Sequence, residues 1–290
     1  MMNHSFLITA YKDIRQLIAL VESLNGPRSH FYIAIDRRSE LARDPDLVAI
    51  ETKPNVSIER SIAIHWGGFS HLRALLSLCK KAAYKGASGY FHALSGQCFP
   101  IVAMEKLEVF FEQQAGLEFI ECKRLPNPAW NGGGLDRIGL FHLNDIFDPK
   151  KKPFALLNDR FLVFQKRLKV ARPALSAFPQ MYGGGTWWSL SDEVVRYILA
   201  VLEDRPYLLA KFRHSHCSEE ILFHSIIMNS PYSSRVAMDD LRYVDWNWKN
   251  GSCPAILDER DLKNVTQSGK IFARKLDSTL SAGLIRALKR

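Results

Sequence analysis

No run in this sequence approaches the ~18 consecutive apolar residues of a membrane-crossing helix, which removes a helical span from consideration. No basic leader or cleavage pattern precedes the first apolar run, which begins at Phe6, and a secreted product is not expected. Cysteine is sparse and odd in number: Cys79, Cys98, Cys122, Cys217 and Cys253 are scattered, and no two form a CxxC pair. Neither a disulfide framework nor a zinc site is indicated, so reduced thiols in a cytoplasmic setting are the simpler expectation. Glycine is missing where a dinucleotide would need it. The turn after the first apolar run reads Thr9-Ala10-Tyr11-Lys12-Asp13, and without glycine a pyrophosphate cannot approach that backbone closely, which argues against NAD or FAD there. No glycine loop ends in Lys-Ser or Lys-Thr, and no HExxH spacing occurs. NTPase, kinase and zinc-peptidase chemistries fall away with them.

What is present is globular in balance, with 47% hydrophobic and 24% charged residues over 290 positions. A net charge of +9 and a pI near 9.3 ask for an anionic partner: nucleic acid, an anionic membrane face or a phosphate-bearing substrate. The cations form no single block. They are densest at Lys150-Lys151-Lys152, over residues 160–172, and at Arg286-Ala287-Leu288-Lys289-Arg290. Aromatics lie in extended apolar segments and no RNP-like or helix-turn-helix pattern appears, so a basic nucleic-acid-binding module is the weaker alternative and no nucleic acid is expected as partner.

Along the chain, an apolar run over residues 6–9 precedes Ile14, Leu17, Ile18, Val21 and Leu24 at helical spacing. Asn25-Gly26-Pro27 ends that helix, and residues 31–35 read as a buried strand closing at Asp36. This β-α-β opening predicts a parallel sheet. Ser70 is placed to cap a helix carrying Leu72, Leu75, Leu76 and Cys79. Strands are expected at 90–94 and 117–121, with a helix marked by Met104, Leu107, Phe110 and Phe111 between them. Residues 126–179, rich in glycine, proline and lysine, read as an irregular connection with short elements. Helices are expected at 192–202, 218–228 and 257–265, with 243–248 extended. No internal repeat is visible.

Three stretches carry candidate chemistry. Ser218-Glu219-Glu220-Ile221-Leu222-Phe223 reads as a helix start, whose acids are either ordinary first-turn stabilisers or a base. Phe272-Ala273-Arg274-Lys275-Leu276 delivers two adjacent cations to a strand end, as a solvated edge or a phosphate site. Tyr90-Phe91-His92-Ala93-Leu94-Ser95-Gly96-Gln97-Cys98-Phe99-Pro100 reads as a strand running into a turn. In their order and spacing these resemble the core-2/I-branching N-acetylglucosaminyltransferase and peptide O-xylosyltransferase family (glycosyltransferase family 14), in the form of a bacterial member. The resemblance spans residues 6 to about 278 and is weakest over 126–179.

The resemblance implies a GT-A-type α/β fold, a Rossmann-like mixed sheet flanked by helices, forming one catalytic domain over 1–290. Residues 1–125 would be the nucleotide-sugar half, 126–180 the irregular connection and 181–290 the acceptor and catalytic half. It implies an inverting transfer from a UDP-sugar to a hydroxyl of a glycan or glycolipid acceptor, with Glu220 as catalytic base and Lys275 on the diphosphate. Glu219 stands where the family motif has aspartate and is the understudy for the base. Cys217-Ser218 departs from the family's Ser-Pro. Arg274 and Arg260 are candidates for a second phosphate cation, because the family's own arginine falls in a segment that is shorter here. Asp36 is a candidate for uridine, or equally a turn aspartate capping Arg37-Arg38-Ser39.

Trp187, in Gly183-Gly184-Gly185-Thr186-Trp187-Trp188, resembles the strand beside the sugar, and Trp246 and Trp248 resemble a segment framing the acceptor. Core packing is an equal rival for Trp246. Cys98 replaces the family aspartate, so the usual Asp-x-Asp position has no acid, and no divalent metal is expected as cofactor. Asp44-Pro45-Asp46 spells that pattern but reads as a surface turn, leaving a metal-dependent transferase as a rival. GlcNAc is favoured over xylose on family breadth, and bacterial surface polysaccharide synthesis is the expected setting. Leu280, Leu284, Ile285 and Leu288 in the basic tail would either touch an anionic inner membrane peripherally or, preferably, pack on the domain.

Overall fold

The computed structural model describes residues 2–85, 89–147 and 152–289. Lys150, Lys151 and Arg290, part of the basic clusters noted above, lie outside the described residues. The chain opens as β1 (Asn3–Ala10), α1 (Ile14–Ser23) and β2 (Ser29–Ile35), then a short α2 (Val48–Glu51), β3 (Val56–Glu59), α3 (Phe69–Tyr84) and β4 (Gly89–Ser95). β1 pairs parallel with both β2 and β4, and β2 pairs parallel with β3. The expected parallel β-α-β start is therefore present. A later strand, β8 (Ser189–Ser191), joins β4 antiparallel, giving a mixed five-stranded sheet of order β3-β2-β1-β4-β8.

Side-chain alternation along β1 sorts the core onto two faces. Phe6 and Ile8 meet Leu17, Leu20 and Val21 of α1 in one cluster. Leu7, with Tyr32 and Ala34 of β2, meets Leu72, Leu75 and Cys79 of α3 in the other. Strands covered on both faces read as continuous apolar runs, which is how residues 6–8 and 31–35 appear in the sequence. α7 (Asp192–Asp204) and α9 (Glu219–Met228) complete the second face with Val195, Ile198, Ile221 and Leu222.

A smaller sheet sets the far wall. β5 (Cys98–Pro100) pairs antiparallel with β10 (Phe272–Arg274), which pairs parallel with β9 (Arg242–Val244). The backbone N–H of Leu276 donates to Gln97 O at 2.8 Å, so the residues after β10 lie against the turn that follows β4. Arg242 ties the two sheets together. Its buried guanidinium donates to Ala93 O (3.0 Å), Trp188 O (2.7 Å) and Ser189 Oγ (2.9 Å). A third cluster packs Leu284 and Ile285 of α11 (Ala282–Leu288) on Leu257, Val265 and Leu276. The tail helix therefore spends its apolar side on the domain, the preferred of its two readings.

Several expectations are corrected. Residues 126–180 hold α5 (Asp136–Gly139) and the 16-residue α6 (Lys152–Arg167), and the segment is flanked by a two-stranded ribbon of β6 (Lys123–Arg124) and β7 (Tyr182–Gly183). Residues 117–121 form isolated bridges, Glu118 to Val236 and Phe119 to Ser189, in place of a strand. Ser70 does not cap α3, whose N-cap is Gly68, and Ser218 at the N-cap of α9 has helical backbone angles and no capping bond. The extended stretch stops at Val244, and residues 257–265 contain a short 3-10 turn leading into α10 (Leu262–Gln267). α4 (Met104–Gln113) and α8 (Tyr207–Phe212) complete the helices. Among the described residues, no helix is long and apolar enough to cross a membrane.

Candidate active site

A cavity of about 680 Å³ opens at the C-terminal ends of β1, β2 and β4. That is where ligands collect in open α/β sheets, because the strands end there and successive loops splay apart. Its wall includes Thr9 near the end of β1 and Tyr11 just beyond it, Asp36 after β2, Ser95 at the end of β4, and Trp187. β10 brings Arg274 and Lys275 into the same wall.

The cations in this wall are the strongest indication of an anionic ligand. The Arg274 guanidinium lies 4.6 Å from the Trp187 ring centroid and 3.5 Å from Ser95 Oγ. Stacking on a ring fixes its plane and leaves its edge for hydrogen bonding. Burial pushes the Arg274 pKa down, while Cys98, Tyr11 and Glu220 oppose that shift. An arginine stays charged through such a shift. Lys275 Nζ donates to Ser252 Oγ at 3.2 Å. Ser252 belongs to the loop bearing Trp246 and Trp248, whose indoles are about three-quarters exposed and do not line the cavity. Arg260 also lies outside the wall, with its exposed guanidinium on Asp258 at 2.7 Å.

Asp36 lines the cavity but spends its carboxylate on its own turn. Oδ1 accepts from Arg38 N, Arg38 Nε and Ile64 N, and Oδ2 accepts from Arg38 Nη2. Burial pushes its pKa up, yet these bonds outweigh burial and hold it below the ordinary carboxylate range. The capping reading of Asp36 is thus realised, and the Arg38 it holds also lines the cavity.

The carboxylate pair sits at the start of α9. Cys217, with φ of 49°, precedes the helix, and Glu219 and Glu220, about 100° apart as consecutive helix residues, meet different partners. Glu219 is buried, and its Oε1 is 3.0 Å from His71 Nδ1. His71 Nε2 lies 3.2 Å from Thr9 Oγ1, and both residues line the cavity. Glu220 accepts from Arg137 at Oε2 (2.5 Å) and from Thr186 Oγ1 at Oε1 (3.1 Å). Its side chain remains about a quarter exposed, at 23%. Burial and the neighbouring Glu219 push its pKa up, and Arg137 and Thr186 only partly offset them. A carboxylate raised in this way is a stronger base near neutral pH than an exposed one.

Glu220 is not itself in the cavity wall, but both its flanks are joined to it. Thr186 precedes Trp187, and Glu219 holds His71. Close approach of α9 needs glycine at 184: a Cβ there would fall 1.8 Å from Glu121 O and 2.8 Å from His224 Nε2. Arg137 and His71 were both missed from the sequence. Arg137 lies in the segment read as irregular, 83 residues from Glu220, and its guanidinium stacks 4.0 Å over Trp130. Among the described residues, one group has metal-ligand spacing: Cys217, Glu219 and Glu220 each place an atom within 4.8 Å of the others. Both carboxylates already carry a partner, Arg137 on Glu220 and His71 on Glu219. Asp44 Oδ1 accepts from the backbone N of Asp46 at 3.0 Å, as in a turn, and Asp44 also lines the cavity.

An α/β chain with cations facing a cleft at its strand ends, and a raised carboxylate beside it, has the parts for handling an anionic ligand and a proton. The chain belongs to the core-2/I-branching enzyme family, whose sequence model matches residues 5–266. It is 26% identical to xylosyltransferase 2 of Canis lupus familiaris, covering 97% of this chain and 32% of that protein. It is also 26% identical to xylosyltransferase oxt of Drosophila melanogaster, over 85% of this chain and 27% of that one. The chain thus spans about a third of the length of the curated relatives it matches. Among solved structures, core-mannan synthase A from Aspergillus fumigatus in its Mn/GDP form is similar at TM-score 0.41 and 11% identity, covering 81% of this chain and 72% of that one.

Proposed function

We propose that this chain is a GT-A-type glycosyltransferase that moves a sugar from a UDP-sugar to a hydroxyl of a glycan or glycolipid acceptor, by one inverting displacement and without a divalent metal. The observation that carries this reading is Arg274 and Lys275 in the wall of the strand-end cavity, on the side where Glu220 stands. In the step proposed, the acceptor oxygen attacks the anomeric carbon and Glu220 takes its proton. The bond from that carbon to the diphosphate oxygen breaks, and UDP leaves with the electron pair. Arg274 and Lys275 offset the charge that develops on the departing phosphate, the task a metal performs elsewhere. An α-linked donor would give a β-linked product.

Family breadth favours GlcNAc as the donor sugar, whereas the names of the relatives favour xylose as a second reading. The setting proposed is bacterial surface polysaccharide synthesis on the cytoplasmic side of the membrane, where scattered cysteines without a CxxC pair accord with a reducing compartment. Calorimetry of UDP, UDP-GlcNAc and UDP-xylose in EDTA, with wild type and Lys275→Ala, tests the proposal. Metal-free binding that Lys275→Ala weakens by about tenfold or more is expected, and the tighter sugar names the donor. Binding that appears only with Mn²⁺ would overturn metal independence. No binding under either condition would overturn the transferase reading itself.

A further inference from the structure

α6 is held to the domain on one side only. Its Gln165 bonds the backbone of Phe141 through both amide atoms (2.8 and 2.9 Å), and Phe154 stacks on Phe147. On the other side Leu156, Leu157, Val163 and Phe164 are each at least half exposed, as is Leu168 just beyond the helix. These positions recur at i, i+1, i+7 and i+8, one stripe of a helix. Arg160 and Arg167 are exposed within the same stripe. Over residues 153–170 the basic residues Arg160, Lys166, Arg167 and Lys169 face a single acid, Asp159. So large an apolar stripe on one element calls for a partner.

We propose that this face of α6 lies in the headgroup layer of an anionic lipid bilayer, leucine and phenylalanine side chains inserted and arginines on the phosphates. Charge decides between occupants. A symmetric contact with a second copy would bring Arg160 and Arg167 against their own counterparts, whereas a bilayer supplies apolar depth and negative charge at one surface. Arginine stems can lie along the apolar stripe while their heads reach phosphate. The inference is independent of the transferase reading. The helix is linked to the carboxylate site, since Lys166 Nζ is 3.7 Å from Asp136 Oδ2 and the next residue, Arg137, holds Glu220.

The test is co-sedimentation of the full chain with vesicles of phosphatidylcholine alone or mixed with phosphatidylglycerol, at low and high salt. Wild type is expected to partition onto the anionic vesicles about tenfold or more above the neutral ones, with the difference shrinking in salt. Leu157→Ser with Phe164→Ser is expected to cut anionic binding about tenfold, with an unchanged melting curve because both side chains are exposed. Arg160→Gln with Arg167→Gln is expected to abolish the preference for anionic lipid. No anionic binding, or binding that neither double variant weakens, would overturn the proposal. So would a concentration-dependent dimer in light scattering that the serine variant dissolves, because a second copy would then cover the stripe.

Discussion

Glu220 feels opposing influences from three neighbouring side chains, and each can be removed singly. The ion pair from Arg137 and the hydroxyl of Thr186 favour its ionised form, while burial and Glu219 disfavour it, with the net shift upward. If Glu220 must be deprotonated to accept a proton, activity falls as pH drops through its raised pKa, at a higher pH than an exposed glutamate would give. Arg137→Ala removes a lowering influence, so the acid limb of the kcat profile is expected to move to higher pH. Glu219→Gln removes a raising influence, so the limb is expected to move to lower pH. Opposite movements in the two variants are the signature, and a limb that stays put in both would show that another group titrates. Glu220→Gln is expected to lower kcat by about 10²-fold or more with donor affinity nearly unchanged, which steady-state kinetics beside calorimetry resolves.

At the scale of elements, the joint between the two sheets rests on Arg242 of β9. Burial lowers its pKa to about 10, and its hydrogen bonds satisfy carbonyls of β4 and of the segment leading into β8. Arg242→Met keeps much of the volume but removes these donors from the core, leaving Trp188 O with its bond from Ala93 N at 2.9 Å. Urea unfolding is expected to report a loss of about 3 kcal/mol, set by the lost hydrogen bonds of a buried charged group. A loss under about 1 kcal/mol would mean the joint is held by packing alone. Elements of this kind also decide what could be read in advance. The β1–α1–β2 start was legible because its apolar residues keep the strand and helix periods without interruption. α6 was not, because its apolar residues occupy both the packed side, with Phe154, and the exposed stripe of Leu156, Leu157, Val163 and Phe164, so no polar face sets off a buried one. Arg274 and Lys275 were visible as neighbours in sequence, and their place in the cavity follows from the pairing of β10 with β5. Arg137 and His71 left no local trace, since each acquires its carboxylate partner only when distant segments meet. Trp246 and Trp248 show the reverse: a conspicuous aromatic pair that folding leaves in solvent, away from the cavity wall.

For the whole molecule, a net charge of +9 raises the affinity of any polyanion for any face, so binding alone does not identify a site. Stabilisation does, because only a ligand seated in the native fold resists its unfolding. UDP at about 100 times its dissociation constant adds about 2.7 kcal/mol to folding stability, which for a domain of this size corresponds to roughly 5 °C in melting temperature. Wild type in EDTA is expected to show a rise of that order. Arg274→Ala and Lys275→Ala, at the same UDP concentration, are expected to lose most of it, because each removes a fixed cation from the cavity wall. Arg160→Gln with Arg167→Gln removes two positive charges, one more than either single variant, from the exposed face of α6, and is expected to keep the full rise. If all the variants lost the rise equally, the effect would be one of net charge and the cavity would have no claim on the nucleotide. If the rise survived in Lys275→Ala but required Mn²⁺ in wild type, the cation at the diphosphate would be a metal, and the carboxylates at the start of α9 would be the first place to look for its ligands.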